Sequence, residues 1–187
     1  MKRLDFIIQS LRIRKALPYI PLRSDILDIG CADGALFRMA GNKLKQGVGV
    51  DPGIDREVVC PNFRLLPGTF PESIPAGMIF DVVTMLAVFE HLTMESQVNI
   101  VKALPAFLRE NGSVIMTIPS PQVDKILDWL KRIGLIDGME LEEHHGFDVQ
   151  QVHQMMNTDF ALARFEKFQL GMNNLFVFTK NPVNQQI

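Results

Sequence analysis

The sequence is poor in cysteine and tryptophan, which account for two residues and one residue of the 187. Cys31 and Cys60 form neither a CxxC pair nor a metal-ligand spacing, and they are too few for a disulfide framework, although a single disulfide is left open. This cysteine usage is typical of a reducing compartment, so we expect a cytoplasmic location. The apolar fraction of 47% suits one globular core, and we expect a single domain over residues 1–187.

The chain also lacks an excess of charge of one sign. Its 19 basic and 21 acidic residues give a formal net charge of -2, and the basic residues are dispersed. Because recognition of a phosphate backbone needs a basic surface, we expect no nucleic-acid partner. No apolar run reaches the roughly 18 residues of a membrane span, so we expect no integral membrane segment.

Residues 1–24 are predicted to form an N-terminal helical segment. Polar and charged residues interrupt the apolar core that a secretory signal peptide would need. Leu4, Ile7, Ile8 and Leu11 recur at helical spacing, with basic residues between them. This pattern predicts a helix that packs on the domain, with a helix on a membrane surface as the alternative.

Short apolar strands alternate with helical segments through the middle of the chain. The predicted strands are residues 26–29, 48–51, 63–66, 80–86 and 114–118. Their near-continuous apolar character indicates a parallel sheet that is buried between helices. Residues 160–170 and 174–179 are separated only by a turn, so they must pair antiparallel, with 160–170 at an edge. The prediction is a doubly wound, mostly parallel, seven-stranded Rossmann-like α/β sheet with an antiparallel terminal strand.

Two helical regions accompany the later strands. Thr93 can cap a helix that Pro105 should kink. Residues 119–157 lie between the fifth strand and the edge strand, and we expect them to cover the substrate side of the sheet. Asp148 and Gln151 form a capping-box-like pair, which predicts a helix at the end of this cover.

The first predicted strand ends in a loop with two glycines and two acids, Asp28-Ile-Gly-Cys-Ala-Asp-Gly34. A P-loop is excluded because no lysine follows Gly34, and a dinucleotide site is opposed because the acids would repel a diphosphate. The acids instead suit a cationic ligand, such as an ammonium beside a sulfonium. Asp51 ends the second strand roughly 20 residues later, where an acid can bind ribose hydroxyls. Together these residues indicate a nucleoside with a positively charged tail, S-adenosylmethionine.

This loop resembles the first motif of the class I S-adenosylmethionine-dependent methyltransferases, particularly the small-molecule type. The resemblance extends over about residues 25–120, and Phe89-Glu-His91 matches the "EH" stretch of the family. It implies a loop around the methionine portion, an acid at the ribose, a residue beside the adenine and a lining for the methionine end. The implied cofactor-binding residues are Asp28, Gly30, Cys31, Ala32, Gly34, Asp51, Pro52, Thr69, Phe70, Leu86 and Ala87.

Two positions depart from the family pattern. Ala32 replaces the usual middle glycine, and Thr69 stands where the family usually presents an acid to the adenine amino group. These departures leave open a degenerate module that acts as a non-catalytic binding or interaction protein. A dinucleotide-dependent oxidoreductase is a further alternative, which the two loop acids oppose.

The residues after the fourth strand bear on the acceptor. Members of this fold that methylate amines of DNA bases or glutamine amides resemble one another in a [DN]PP[YF] motif, where this chain has Met85-Leu-Ala-Val88. We therefore predict a small-molecule acceptor, methylated at oxygen.

A hydroxyl acceptor must lose a proton, so this chemistry requires a base. The candidates are His91, His144 and His145, because imidazole titrates near neutrality. Alternatively, His91 is a histidine at the start of a helix that bonds to the backbone, and His144 and His145 lie in a solvated turn. No metal is expected, because adjacent histidines lack the spacing of a helical metal site.

Overall fold

The computed structural model describes residues 3–120 and 149–182. Its helices are α1 (Arg3–Ala16), α2 (Ala35–Ala40), α3 (Met94–Phe107) and α4 (Val149–Met156). Its strands are β1 (Ser24–Ile29), β2 (Leu44–Asp51), β3 (Val58–Val59), β4 (Phe63–Pro67), β5 (Phe80–Leu86), β6 (Leu108–Pro119), β7 (Phe160–Phe168) and β8 (Asn173–Lys180). Short 3₁₀ turns cover Leu17–Tyr19, Gly41–Lys43 and Phe89–His91. Both cysteines are free.

The strands form one sheet in the order β3-β4-β2-β1-β5-β6-β8-β7. The neighbours among β4, β2, β1, β5 and β6 pair in parallel, which confirms the predicted mostly parallel, doubly wound architecture. The winding reverses between β1 and β5, and ligands of such sheets bind beyond the carboxyl ends of the strands at that point. Within residues 3–120 and 149–182 the sheet has eight strands rather than the predicted seven, because β3 adds a two-residue antiparallel pair that is too short to give a sequence signal.

The C-terminal strands follow the prediction. β8 pairs antiparallel with both β6 and β7, so β8 lies inside the sheet and β7 forms its edge. Residues 173–178 of β8 are all buried, whereas most residues of β7 are exposed. The apolar run of β8 and the mixed composition of β7 therefore reflect their places in the sheet.

Helices cover both faces of the sheet. Ile100 and Leu104 of α3 share one core cluster with Val152 and Met156 of α4. On the opposite face, α1 and α2 contribute to a second cluster of buried side chains. The two layers enclose the parallel strands, as the burial of such strands requires.

The packing of α1 differs from the predicted apolar stripe. Ile7 is 52% exposed and Leu11 is 43% exposed, whereas Ile13 and Ala16 are buried against the sheet. The burying face is set by the second half of the helix, where α1 meets the sheet. Among the described residues, none of the helices has the length and apolar character that crossing a bilayer requires.

Helix α3 begins as predicted. The Ser96 amide N–H donates to the Thr93 hydroxyl oxygen at 3.2 Å, so Thr93 is the N-cap. The helix continues through Pro105, and the Pro105 carbonyl accepts a hydrogen bond from the Lys180 ammonium at 2.7 Å. Of the predicted cover, residues 121–148 lie outside the described part of the chain, while α4 forms at its end.

Candidate functional site

A cavity of about 580 Å³ lies beyond the carboxyl ends of the central parallel strands. This volume is in the range of small-molecule sites, and the position is the one expected at a reversal of the winding. Several of the predicted cofactor-binding residues line it: Gly30, Asp51, Pro52, Thr69, Phe70 and Ala87. The fold thus brings together residues from four separate loops.

Asp51 presents an oriented carboxylate to this cavity. The Ala32 N–H donates to Asp51 Oδ2 at 2.9 Å, and the Gly53 N–H donates to Oδ1 at 2.8 Å. Each oxygen keeps a lone pair for a further donor. The backbone amide of Ala32, one of the residues that the family resemblance implied as cofactor-binding, is therefore directed to Asp51. The paired oxygens of Asp51 can accept hydrogen bonds from two adjacent hydroxyl groups.

The loop between β1 and α2 approaches the cavity through its backbone. Gly30 has a φ of +73°, and a Cβ atom at this position would lie 2.3 Å from Val88 Cγ2. Its N–H donates to the Val50 carbonyl at 2.8 Å, which ties the loop to β2. Only glycine fits this position, so a ligand can contact the main chain directly. Ala32 and Gly34 line neither this cavity nor the smaller one beside it.

A smaller cavity of about 40 Å³ adjoins the first, and Gly30 lines both. Asp28, Cys31 and Leu86 also line it, so Ala32 and Gly34 are the predicted cofactor-binding residues that line neither cavity. Gln9, Arg12 and Ile13 close it from α1. It has room for one or two small polar groups but not for a nucleoside.

Asp28 is the buried acid of this smaller cavity, with 4% of its surface exposed. Burial raises the pKa of Asp28 to about 7, the hydrogen bond donated by the Thr84 hydroxyl at 2.6 Å lowers it, and the charge of Asp51 raises it. A cationic ligand group would favour the ionised form of this carboxyl. Burial also raises the pKa of the Cys31 thiol, so Cys31 is not a thiolate nucleophile at neutral pH.

His91 lines the larger cavity from the 3₁₀ turn that follows β5. Its side chain is 40% exposed, and its Nε2 atom lies 3.9 Å from Glu90 Oε1. Its backbone N–H donates to the Val88 carbonyl at 3.1 Å. His91 therefore reaches the larger cavity, and its catalytic role stays a prediction. His144 and His145 lie outside the described residues.

The structure adds polar residues that the sequence did not indicate. Glu72 lines the larger cavity, and the Thr69 hydroxyl donates to Glu72 Oε2 at 3.3 Å. An acid three residues after Thr69 was the available signal for this contact. Ser96 and Asn99 of α3 also reach the cavity. Over residues 3–120 and 149–182, no group of three or more His, Cys, Asp or Glu side chains is placed to hold a metal ion.

Comparison with known families gives one match that extends over most of the chain. The family described as "Methyltransferase domain" matches residues 7–168. No protein of curated function matches the sequence.

Solved structures share the fold at low sequence identity. The N-methyltransferase NodS from Bradyrhizobium japonicum WM9, in complex with S-adenosyl-l-homocysteine, has a TM-score of 0.65 and 14% identity over 97% of this chain and 89% of that chain. Magnesium protoporphyrin IX methyltransferase from Synechocystis PCC 6803, with bound SAH, has a TM-score of 0.65 and 12% identity over 92% and 84%. The small RNA methyltransferase HEN1 has a TM-score of 0.66 and 16% identity over 93% and 25%.

Proposed function

Because the chain belongs to the class I S-adenosylmethionine-dependent methyltransferases, we propose that it transfers the methyl group of S-adenosylmethionine to a small-molecule oxygen, with a histidine as the base. The observation that carries this proposal is the oriented carboxylate of Asp51, which shares one cavity with the backbone at Gly30. The two carboxylate oxygens of Asp51 can accept hydrogen bonds from the two ribose hydroxyls of this nucleoside. The absence of a side chain at Gly30 lets the ligand contact the main chain.

The larger cavity suits the adenosine portion. Asp51 would accept hydrogen bonds from the ribose hydroxyls, and Pro52 and Phe70 offer apolar contact to the adenine ring. Thr69 has no carboxylate to accept a hydrogen bond from the adenine amino group. Glu72 is in hydrogen-bond contact with Thr69 and is close enough to supply this carboxylate. The departure at Thr69 therefore does not remove an acceptor from the cavity.

The smaller cavity suits the methionine portion. Asp28 would accept a hydrogen bond from the ammonium, and the glycine at position 30 allows the chain of the ligand to pass between the two cavities. When bound, the cofactor supplies an electrophilic methyl group on sulfur. The residues of the chain then hold the two reactants in line, and Leu92 and Ile100 contribute an apolar wall that limits water at the acceptor side.

The acceptor is proposed to be a small molecule. The support is the near-neutral charge of the chain and the position of Ser96, Asn99 and His91 around the remaining space of the larger cavity. The names of the similar structures differ in acceptor, from magnesium protoporphyrin IX to small RNA, so the shared fold does not select among them. The cytoplasmic location is proposed on the cysteine usage alone.

Calorimetric titration with S-adenosylmethionine and S-adenosylhomocysteine tests the cofactor. We expect binding of both, no binding of NAD, and a loss of about 1 to 3 kcal/mol on Asp51→Ala because charged hydrogen bonds to the ribose are removed. Asp55→Ala is the matched control, since Asp55 is an exposed acid that lines neither cavity. Equal affinities for Asp51→Ala and the unchanged chain would contradict the ribose assignment, and NAD binding would favour an oxidoreductase.

The base is tested by replacing His91, His144 and His145 singly with alanine. The kcat of each variant is then measured with an acceptor that has been identified by screening. Removal of the base should lower kcat by about 10²- to 10⁴-fold at unchanged S-adenosylhomocysteine affinity, because proton removal contributes to the chemical step and not to cofactor binding. Full activity in all three variants would reject the histidine base.

A further inference from the structure

The side of α1 that points away from the sheet carries apolar side chains. Ile13 and Ala16 are buried on the packed side, whereas Ile7, Leu11 and Arg14 follow one another at helical spacing on the opposite side. Ile7 is 52% exposed, Leu11 is 43% exposed, and Arg14 is exposed as well. The helix therefore packs on the domain with one side and presents a second, partly apolar side to the solvent.

Two further exposed apolar side chains lie on α1 or beside it. Phe6 is 55% exposed on α1, and Leu170, in the turn between β7 and β8, is 99% exposed. This turn lies beside α1, since Arg12 Nε donates to Asn173 Oδ1 at 3.4 Å and the Asn173 amide donates to Gln169 Oε1. Leu170 gains nothing from burial, and its φ of +57° is strained for a residue other than glycine, so the fold does not account for its conformation.

We use the name α1 patch for the four exposed apolar side chains Phe6, Ile7, Leu11 and Leu170. Single exposed apolar side chains are common on proteins, but a group of them on one helix and the adjacent turn marks an interaction surface. The chemistry of the partner depends on the charges around the patch.

Charge differs between the N-terminal segment and the rest of the chain. The first 16 residues hold five basic residues and one acidic residue, a formal charge of +4, whereas the other 14 basic and 20 acidic residues give the rest of the chain a formal charge of -6. A helix that combines basic residues with exposed apolar side chains is suited to the interface of an anionic bilayer. Arg14 fits this environment, because its apolar stem can contact acyl chains while its guanidinium reaches the headgroups.

A second copy of the chain is the other simple occupant of the α1 patch. A symmetric contact would bring the positively charged segments of both copies together, which is unfavourable in an interface from which water is excluded. The patch is also formed by a helix and a turn, which are convex elements. A lipid surface deforms around such elements, whereas a protein surface must supply a matching pocket. These features favour the bilayer.

We propose that the α1 patch and Arg14 form a contact surface for an anionic phospholipid bilayer, on which the protein docks without crossing it. The inference goes beyond the proposed function and does not depend on it, because none of these side chains lines either cavity. The docking is reversible, since a few partly exposed side chains and a segment of modest positive charge provide the contact.

Co-sedimentation of the full chain with lipid vesicles tests the inference. Vesicles of equal parts phosphatidylcholine and phosphatidylglycerol should bind the protein about 10-fold more tightly than vesicles of phosphatidylcholine alone, and added salt should release it, because exposed charges are screened. The double variant Ile7→Gln/Leu11→Gln should bind the mixed vesicles about 10-fold more weakly, because two apolar side chains no longer enter the bilayer. Arg14→Gln should weaken binding by about fivefold.

Exposed residues outside the α1 patch provide matched controls. The double variant Leu22→Gln/Val59→Gln removes two apolar side chains that are 64% and 75% exposed, and Arg56→Gln removes an exposed arginine. Both controls should bind the mixed vesicles as the unchanged protein does. Circular dichroism and titration with S-adenosylhomocysteine check that each variant remains folded.

Three results would overturn the inference. They are no binding to the mixed vesicles, equal binding to both kinds of vesicle, and equal binding by the unchanged protein and Ile7→Gln/Leu11→Gln. Analytical ultracentrifugation adds a fourth, since a dimer that dissociates in this double variant would assign the α1 patch to a second copy. Vesicle binding that depends on the patch supports the inference whether or not the chain binds S-adenosylmethionine, because the two measurements are independent.

Discussion

Asp28 shows how a single residue can be costly to the fold and useful to the site. It lies in the middle of the sheet, between Gly49 of β2 and Thr84 of β5, where water does not reach it. Its carboxyl group holds a proton in the folded state up to a pKa of about 7, against an ordinary value of 3.8. The stability that this group contributes is therefore present below pH 4 and is lost as the pH rises through 7.

We predict that Asp28→Asn stabilises the ligand-free protein more at pH 8 than at pH 5. Between pH 5 and 7 the folded chain still holds a proton that the unfolded chain has lost, so folding must take up this proton, which becomes less favourable by about 1.4 kcal/mol per pH unit. The advantage of asparagine should therefore grow by about 2 to 3 kcal/mol between pH 5 and pH 8. Urea unfolding at the two pH values measures the difference.

The same variant should bind S-adenosylmethionine more weakly, because the ammonium loses its charged partner. Asp33→Asn is the control, as Asp33 is an exposed acid of the same loop. A pH-independent effect of Asp28→Asn on the free energy of unfolding would show that Asp28 does not titrate in this range.

At the scale of elements, α3 connects local sequence to the acceptor side of the cavity. Its cap at Thr93 fixes where the helix begins, and Ser96, Asn99 and Ile100 follow within two turns. The buried amide of Gln97 donates to the carbonyls of Phe89 and Leu92, which ties the helix to the turn that carries His91. The start of α3 thus positions several polar groups at once.

Removal of the cap is predicted to destabilise the domain. Thr93→Ala leaves the Ser96 amide without its side-chain acceptor and should lower the free energy of unfolding by about 1 kcal/mol. Thr93→Ser keeps the hydroxyl and should differ little from the unchanged protein, and chemical denaturation of both variants provides the comparison. A similar loss in both would attribute the effect to the methyl group of threonine and not to the cap.

Helix α1 marks the limit of reasoning from a local pattern. Spacing alone predicted the helix, and the helix forms over Arg3–Ala16. Spacing also predicted a packed stripe that includes Ile7 and Leu11, yet these residues are largely exposed. Several faces of this helix carry apolar residues, and only the docking of its second half on the sheet selects the one that is buried.

At the scale of the whole molecule, the site is a consequence of the sheet order. β1 and β5 are neighbours, although residues 30–79 separate them in the sequence. Their loops turn to opposite faces of the sheet, and the space left between them holds the larger cavity. Residues such as Gly30, Asp51 and Ala87 meet there because each lies at the carboxyl end of a parallel strand or directly after it.

The sequence by itself determined the parallel strands, the inner position of β8 and the edge position of β7, because continuous or mixed apolar runs are set by how many faces of a strand are buried. It also determined that Gly30 and Asp51 belong to one site, because both follow strands of a parallel sheet.

The tertiary structure alone decided the exposure of Ile7, the short strand β3, the contact of Ala32 with Asp51 and the contribution of Arg12 to the smaller cavity. These features depend on which distant segments pack together. Packing is a property of the whole assembled chain, and it leaves no periodic signal in the segments that take part.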